Sequence, residues 1–159
     1  KLKKRGLQWL RVLHILSMSI WFGSVVCIGG LAVICFFQLN ESSFLTVAPL
    51  VPELYQKLVM PIAIFTVIQG IIYGFFTNWG FFKYKWVLLK WVLVILTALC
   101  TGLGGISQMF SVLDKVKASG FVGGFADGGA VLLFISLQIL FMITMIVLSV
   151  FKPMKREIT

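Results

Sequence analysis

Four apolar runs dominate this chain, at residues 7–37, 58–77, 85–113 and 130–151. A bilayer's hydrocarbon core is about 30 Å thick, and about 20 apolar residues in an α-helix cross it. Inside lipid every backbone N–H and C=O must be bonded within the segment, so runs of this length fold as spanning helices. Composition agrees, with 60% hydrophobic residues, 12% charged residues and a mean hydropathy of +1.04. Soluble domains run at about 45–50% apolar and about 25% charged. The expected fold is all-α: an integral membrane four-helix bundle, with residues 1–159 forming a single transmembrane domain. The first run exceeds the short apolar core of a signal peptide and is read as a retained span.

The net charge of +9 would suggest nucleic acid if the cations formed a face. They gather instead at the ends of the apolar runs: Lys1, Lys3, Lys4, Arg5 and Arg11 at the first, Lys83 and Lys85 between the second and third, Lys152, Lys155 and Arg156 after the fourth. By the positive-inside rule this places both termini and the middle loop in the cytoplasm, N-in and C-in, in a multi-pass protein of the cell (cytoplasmic) membrane. The partner of the basic clusters is then the lipid bilayer, through its anionic headgroups. No aromatic-basic platform accompanies them, so no nucleic acid is expected.

The connections are read more coarsely. Residues 38–43 form a turn, and 44–57 are too polar for mid-bilayer and read as an outer-surface helix leading into the second span. Pro61 is early enough in that span to be tolerated or to kink it. Residues 78–84 make a tight aromatic loop, and 114–129 a glycine-rich external loop with Asp127 as the N-cap of the last helix. The fourth run is nearly featureless, and no internal repeat is evident.

Chemistry is narrowed by what the runs contain. The five acids, Glu41, Glu53, Asp114, Asp127 and Glu157, all lie outside them, so no carboxylate pair, triad or intramembrane carboxylate relay can be built. Cys27, Cys35 and Cys100 have no CxxC spacing and read as small buried hydrophobes. Met18, Met60, Met109, Met142 and Met145 are intramembrane, and their soft thioethers suit Cu(I), although gap filling is the ordinary role of scattered methionines.

The one histidine lies inside the first run, where a titratable ring is expensive unless it faces the bundle interior. His14, Ser17, Trp21 and Ser24 recur at steps of three and four, so they share one stripe. Thr66, Gln69 and Tyr73 form a second stripe, and Lys90, Thr97, Thr101, Gly104 and Gln108 a third. Counted at ~1.5 Å per residue, His14 and Lys90 fall at the same depth, where they can meet across the bundle. A neutral imidazole there can hold a metal, with His14 as the metal ligand, or a haem iron, while the lysine pairs with a propionate or a quinone oxygen. The competing reading is structural: Lys90 snorkels to the interface and His14 bonds Ser17 or a backbone carbonyl. With one histidine, a bis-histidine haem within the chain is excluded. The sixth position falls to Met, to Lys, to a vacancy, or to His14 of a second subunit in a homodimer.

Two segments resemble a known group. The first, LRVLHILSMSIWFG with Leu13, His14, Trp21 and Gly23, resembles the opening helix of the CopD-like and HemJ-like small bacterial membrane proteins. The second, YKWVLLKWVLVILTALCTG with Lys90 and Gly102, is similar to that group's Tyr-x-x-x-Leu-Leu-Lys helix. The resemblance implies a four-helix bundle of the bacterial inner membrane. From HemJ-like oxidoreductases it implies haem binding by His14 and Lys90, and from CopD-like proteins copper uptake. The chain lacks the further histidine and tyrosine that follow the lysine in the HemJ pattern. Three functions are therefore expected of it: binding of haem b or a related porphyrin with a redox or haem-handling role, with His14, Lys90, Ser17 and Trp21 at the cofactor; copper transport; or a cofactor-free accessory subunit of a larger membrane complex.

Overall fold

The computed structural model describes residues 4–76 and 84–151. Of the 78–84 loop expected from sequence, only Tyr84 falls among them. Four helices carry the fold: α1 (Lys4–Phe37), α2 (Glu41–Phe76), α3 (Lys85–Ser119) and α4 (Gly124–Phe151). Each is long and apolar enough to cross a membrane. No strand is present among the described residues. At ~1.5 Å per residue, the 34 residues of α1 reach ~50 Å, well beyond a ~30 Å hydrocarbon core.

Two boundaries differ from the sequence expectation. Residues 44–57 are not a surface lead-in but the first part of α2, which begins at Glu41 with Asn40 Oδ1 accepting from the Ser43 N–H at 2.9 Å. Phe44, Ala48, Val51 and Tyr55 are buried at steps of four, three and four, a helical stripe that faces the core. Glu53 and Lys57, the polar residues that argued for a surface position, pair with each other at 3.3 Å on the outer side.

The second difference is at 114–129. Helix α3 runs on to Ser119 and α4 starts at Gly124, so the connection shrinks to 120–123. Met109, Val112, Leu113 and Val116 continue the buried stripe while Asp114, Lys115 and Lys117 point outward. Gly120, Gly123 and Gly124 have φ of 86°, 80° and 58°, a region that glycine enters without steric cost. Asp127 is not an N-cap. It lies inside the first turn of α4 and reaches back, accepting from the Val122 and Gly123 N–H groups at 2.8 Å each and from Lys115 Nζ at 2.8 Å.

Two wide turns interrupt the α-helical ladder. In Tyr55–Val59 the helix opens to π geometry, and the Met60 N–H bonds the Tyr55 carbonyl five residues back. Pro61 follows at once. A proline crowds the carbonyl four residues before it and cannot bond it, and a widened turn relieves that conflict. The second π segment, Cys100–Gln108, contains Gly102, Gly104 and Gly105.

Helices adjacent in sequence pack antiparallel. Ser17 meets Gln69 and Phe36 meets Phe44 between α1 and α2; Lys90 meets Ser149 and Lys115 meets Asp127 between α3 and α4. Helix α1 also packs on α4, where Gly29 lies against Ile135 and Gly128 against Phe36. The core they share includes Val25, Ile28, Ala32, Val131, Ile135 and Met142. Between α2 and α3 the packing is uneven. The stretch before Met60 packs closely on α3, while Met60–Phe76 packs mainly on α1, with Gly70 facing Trp91 of α3.

Candidate functional site

Polar residues enter this interior at two levels. The first is near mid-bundle, where the two π segments meet α4. Tyr55 and Gln138, both 0% exposed, are joined by a bond from the tyrosine hydroxyl to Gln138 Oε1 at 2.8 Å. Gln138 Nε2 donates to Thr101 Oγ1 at 2.6 Å, and the Thr101 hydroxyl donates to the Thr97 carbonyl at 3.1 Å. The helices approach closely here because Gly105 lies under the Tyr55 ring and Gly104 under Phe134. Every side chain in this chain of bonds has a partner, as a buried polar network requires if it is to stabilise rather than weaken the fold. Chemically it is a closed system that joins three helices.

The second level is nearer the start of α1, and it is not closed. His14, Ser17 and Trp21 lie on one stripe of α1, facing Thr66, Gln69 and Tyr73 of α2. The Ser17 hydroxyl donates to Gln69 Oε1 at 2.7 Å, with the His14 carbonyl at 3.1 Å as its other acceptor. The His14 ring stands edge-on to Tyr73, with centroids 5.6 Å apart. His14 Nδ1, Trp21 Nε1 and Gln69 Nε2 are buried and meet no well-aligned hydrogen-bond partner among the described residues, while the His14 ring and the Gln69 amide lie close enough to interact.

Lys90 is half-buried on α3. Its ammonium donates to Ser149 Oγ of α4 at 2.6 Å and lies 4.8 Å from the centre of the Trp86 ring. It is within electrostatic reach of His14. The four described acids, Glu41, Glu53, Asp114 and Asp127, lie in the opposite half of the bundle. The local field at this level is therefore positive.

The four residues singled out from sequence thus lie in the half of the bundle that holds the start of α1, with Trp21 near its middle, Ser17 and Trp21 buried and His14 and Lys90 half-buried. Ser24, on the same expected stripe, turns back to donate to the Ile20 carbonyl at 2.7 Å. Thr66 and Gln69 are buried and Tyr73 half-buried. Sequence reasoning missed the roles of Tyr55, Gln138 and Ser149. Tyr55 was hidden by the surface reading of 44–57. Gln138, an isolated amide in a run that otherwise reads as apolar, was the signal that went unused.

The soft donors are dispersed. Met109, Met142 and Met145 pack in the core, while Met60 faces outward. Cys35 and Cys100 are buried and Cys27 exposed, all as free thiols. Among the described residues no group of three or more His, Cys, Asp and Glu side chains is placed to hold a metal ion. Comparison of the chain with models of known protein families, with curated proteins and with solved structures finds no match.

Proposed function

We propose that this chain is a small multi-pass protein of the cytoplasmic membrane that binds haem b, or a related porphyrin, through His14, in a redox or haem-handling role. The observation that supports this reading is the orphaned imidazole. His14 Nδ1 is buried beside Gln69 and Tyr73 without a well-aligned hydrogen-bond partner among the described residues, so its lone pair is poorly compensated for lost hydration, and a neutral imidazole nitrogen is the usual protein ligand of haem iron. When bound, a haem supplies a one-electron iron couple, and the residues around it position and tune it.

In that role the chain's own groups divide the work. His14 offers the ligand nitrogen, and the Tyr73 edge restrains the plane of its ring. Lys90 supplies the positive charge for an anionic substituent, and its bond to Ser149 holds the ammonium against α4. The end carrying this site is placed at the cytoplasmic face, N-in and C-in, because the basic clusters of the sequence flank it. A symmetric homodimer would bring a second His14 to the same group.

An absorbance spectrum of the purified protein after haem supplementation tests the reading. A Soret band is expected in wild type and its loss in His14→Ala. A spectrum without that band, or a band that survives the substitution, sinks it.

A further inference from the structure

An imidazole has two nitrogens, and a neutral ring offers a ligand only the one that carries no proton. In this chain the choice falls to the groups around Nδ1, the buried nitrogen of the half-buried His14 ring. His14 Nδ1 and Gln69 Nε2 are both without a well-aligned partner among the described residues, yet ring and amide lie close enough to interact. Ser17 and Gln69 are buried beside them. The Ser17 hydroxyl lies 2.7 Å from Gln69 Oε1 and 3.1 Å from the His14 carbonyl. A hydroxyl, an amide and an imidazole thus share one small cluster. Of the groups around it, Tyr73 meets the ring edge-on, and the Lys90 ammonium only donates, so it cannot take a ring proton.

Counting bonds distinguishes the ways to arrange them. A primary amide fills the same space with its oxygen and nitrogen exchanged, so its partners decide which way it faces. With the oxygen toward Ser17, as the structure sets it, the one hydroxyl proton goes to the amide, and an amide N–H is left for the lone pair of Nδ1. That makes two bonds and puts the imidazole proton on Nε2, where it blocks a ligand. With the amide reversed, the hydroxyl proton goes to the His14 carbonyl, the amide N–H donates to Ser17 Oγ, and the amide oxygen accepts from Nδ1–H. That makes three bonds among the same residues and leaves the Nε2 lone pair uncovered. A buried polar group left unbonded carries its full desolvation cost, so the arrangement with three bonds is favoured. It is also the pattern of metal-bound histidines, whose second ring N–H is held by a carbonyl, a carboxylate or water.

We infer that Gln69 is the positioning residue of His14: with its amide reversed, its oxygen takes the Nδ1 proton and leaves Nε2 as the nitrogen offered to a ligand. The role rests on the haem reading, while the bond itself does not. Because His14 is the one histidine of the chain, isotopic labelling of histidine nitrogen puts a single ring in the spectrum. Long-range proton–nitrogen correlation NMR on haem-free protein in phosphatidylcholine nanodiscs, at mildly alkaline pH where the ring is neutral, reports which nitrogen carries the proton. Nδ1–H is expected in wild type. Gln69→Leu keeps the bulk and removes the amide, and it should move the proton to Nε2. Its haem affinity should fall about 10- to 100-fold, the range for removing the outer partner of a metal-bound histidine. Helix content and melting of the variant are first shown to match wild type. Nε2–H in wild type overturns the proposal without any variant, and so does Nδ1–H or haem affinity that survives Gln69→Leu. The two readings fail separately. Nδ1–H with no Soret band after haem supplementation refutes haem binding and leaves the Gln69–His14 bond standing, whereas a Soret band with Nε2–H in the haem-free ring refutes the role of Gln69.

Discussion

At the scale of single residues, the close packing of this bundle turns on two adjacent glycines. A Cβ at Gly104 would overlap the Phe134 side chain at its Cβ, the end that cannot swing away, and one at Gly105 would lie 2.5 Å from Tyr55 Cε2. Tyr55 cannot retreat without giving up its bond to Gln138. At Gly102, two residues earlier on the same helix, nothing lies within 4 Å. Gly104→Ala should therefore cost about 1–3 kcal/mol or more, the range for overpacking a well-filled core, while Gly102→Ala should leave stability unchanged. Unfolding of the two variants side by side in mild detergent checks this. Equal midpoints would mean that α3 and α4 do not approach at this point. The same comparison separates two glycines that look alike in the sequence, since the helical pattern alone does not say which one faces a neighbour.

At the scale of elements, the α3–α4 hairpin shows how one side chain can organise a connection. Gly120, Gly123 and Gly124 let the backbone reverse within a few residues, and the Asp127 carboxylate then collects two backbone N–H groups and Lys115. The Asp127 side chain is fully buried while that of Lys115 is about half exposed. The ion pair alone is thus partly screened by solvent, and the backbone bonds carry more of the effect. Asp127→Ala should cost about 1–3 kcal/mol, the cost of stranding buried donors. It should also accelerate amide hydrogen exchange at Val122 and Gly123, with exchange in mid-α4 near Gln138 unchanged. Protection that persists at those two amides would show that water or another group replaces the carboxylate. The reach-back geometry was not legible from composition. An acid near a helix start reads first as a cap, and only the observed start at Gly124 shows it to be three residues inside.

At the scale of the whole molecule, orientation belongs to charge. Reporter fusions check it: alkaline phosphatase after Thr159 should be inactive and the same enzyme inserted at Val122 active, the reverse pattern refuting the N-in, C-in reading. Sequence alone determined the number of helices long and apolar enough to span a membrane, but not their full lengths, because hydrocarbon leaves an unbonded backbone no alternative while saying nothing of how far a helix runs past it. It also determined which stripes hold His14, Gln69 and Lys90, because helical periodicity is local. Tertiary structure decided the rest. It drew 44–57 into the bundle, because a stripe of Phe44, Ala48, Val51 and Tyr55 outweighs two polar residues that can pair on the outer face. It joined Tyr55, Gln138 and Thr101 across three helices, and it set Ser17 and Gln69 against each other beside His14. Satisfaction of a hydrogen bond is a property of pairs, and which residues become pairs depends on how helices far apart in the chain are set against one another.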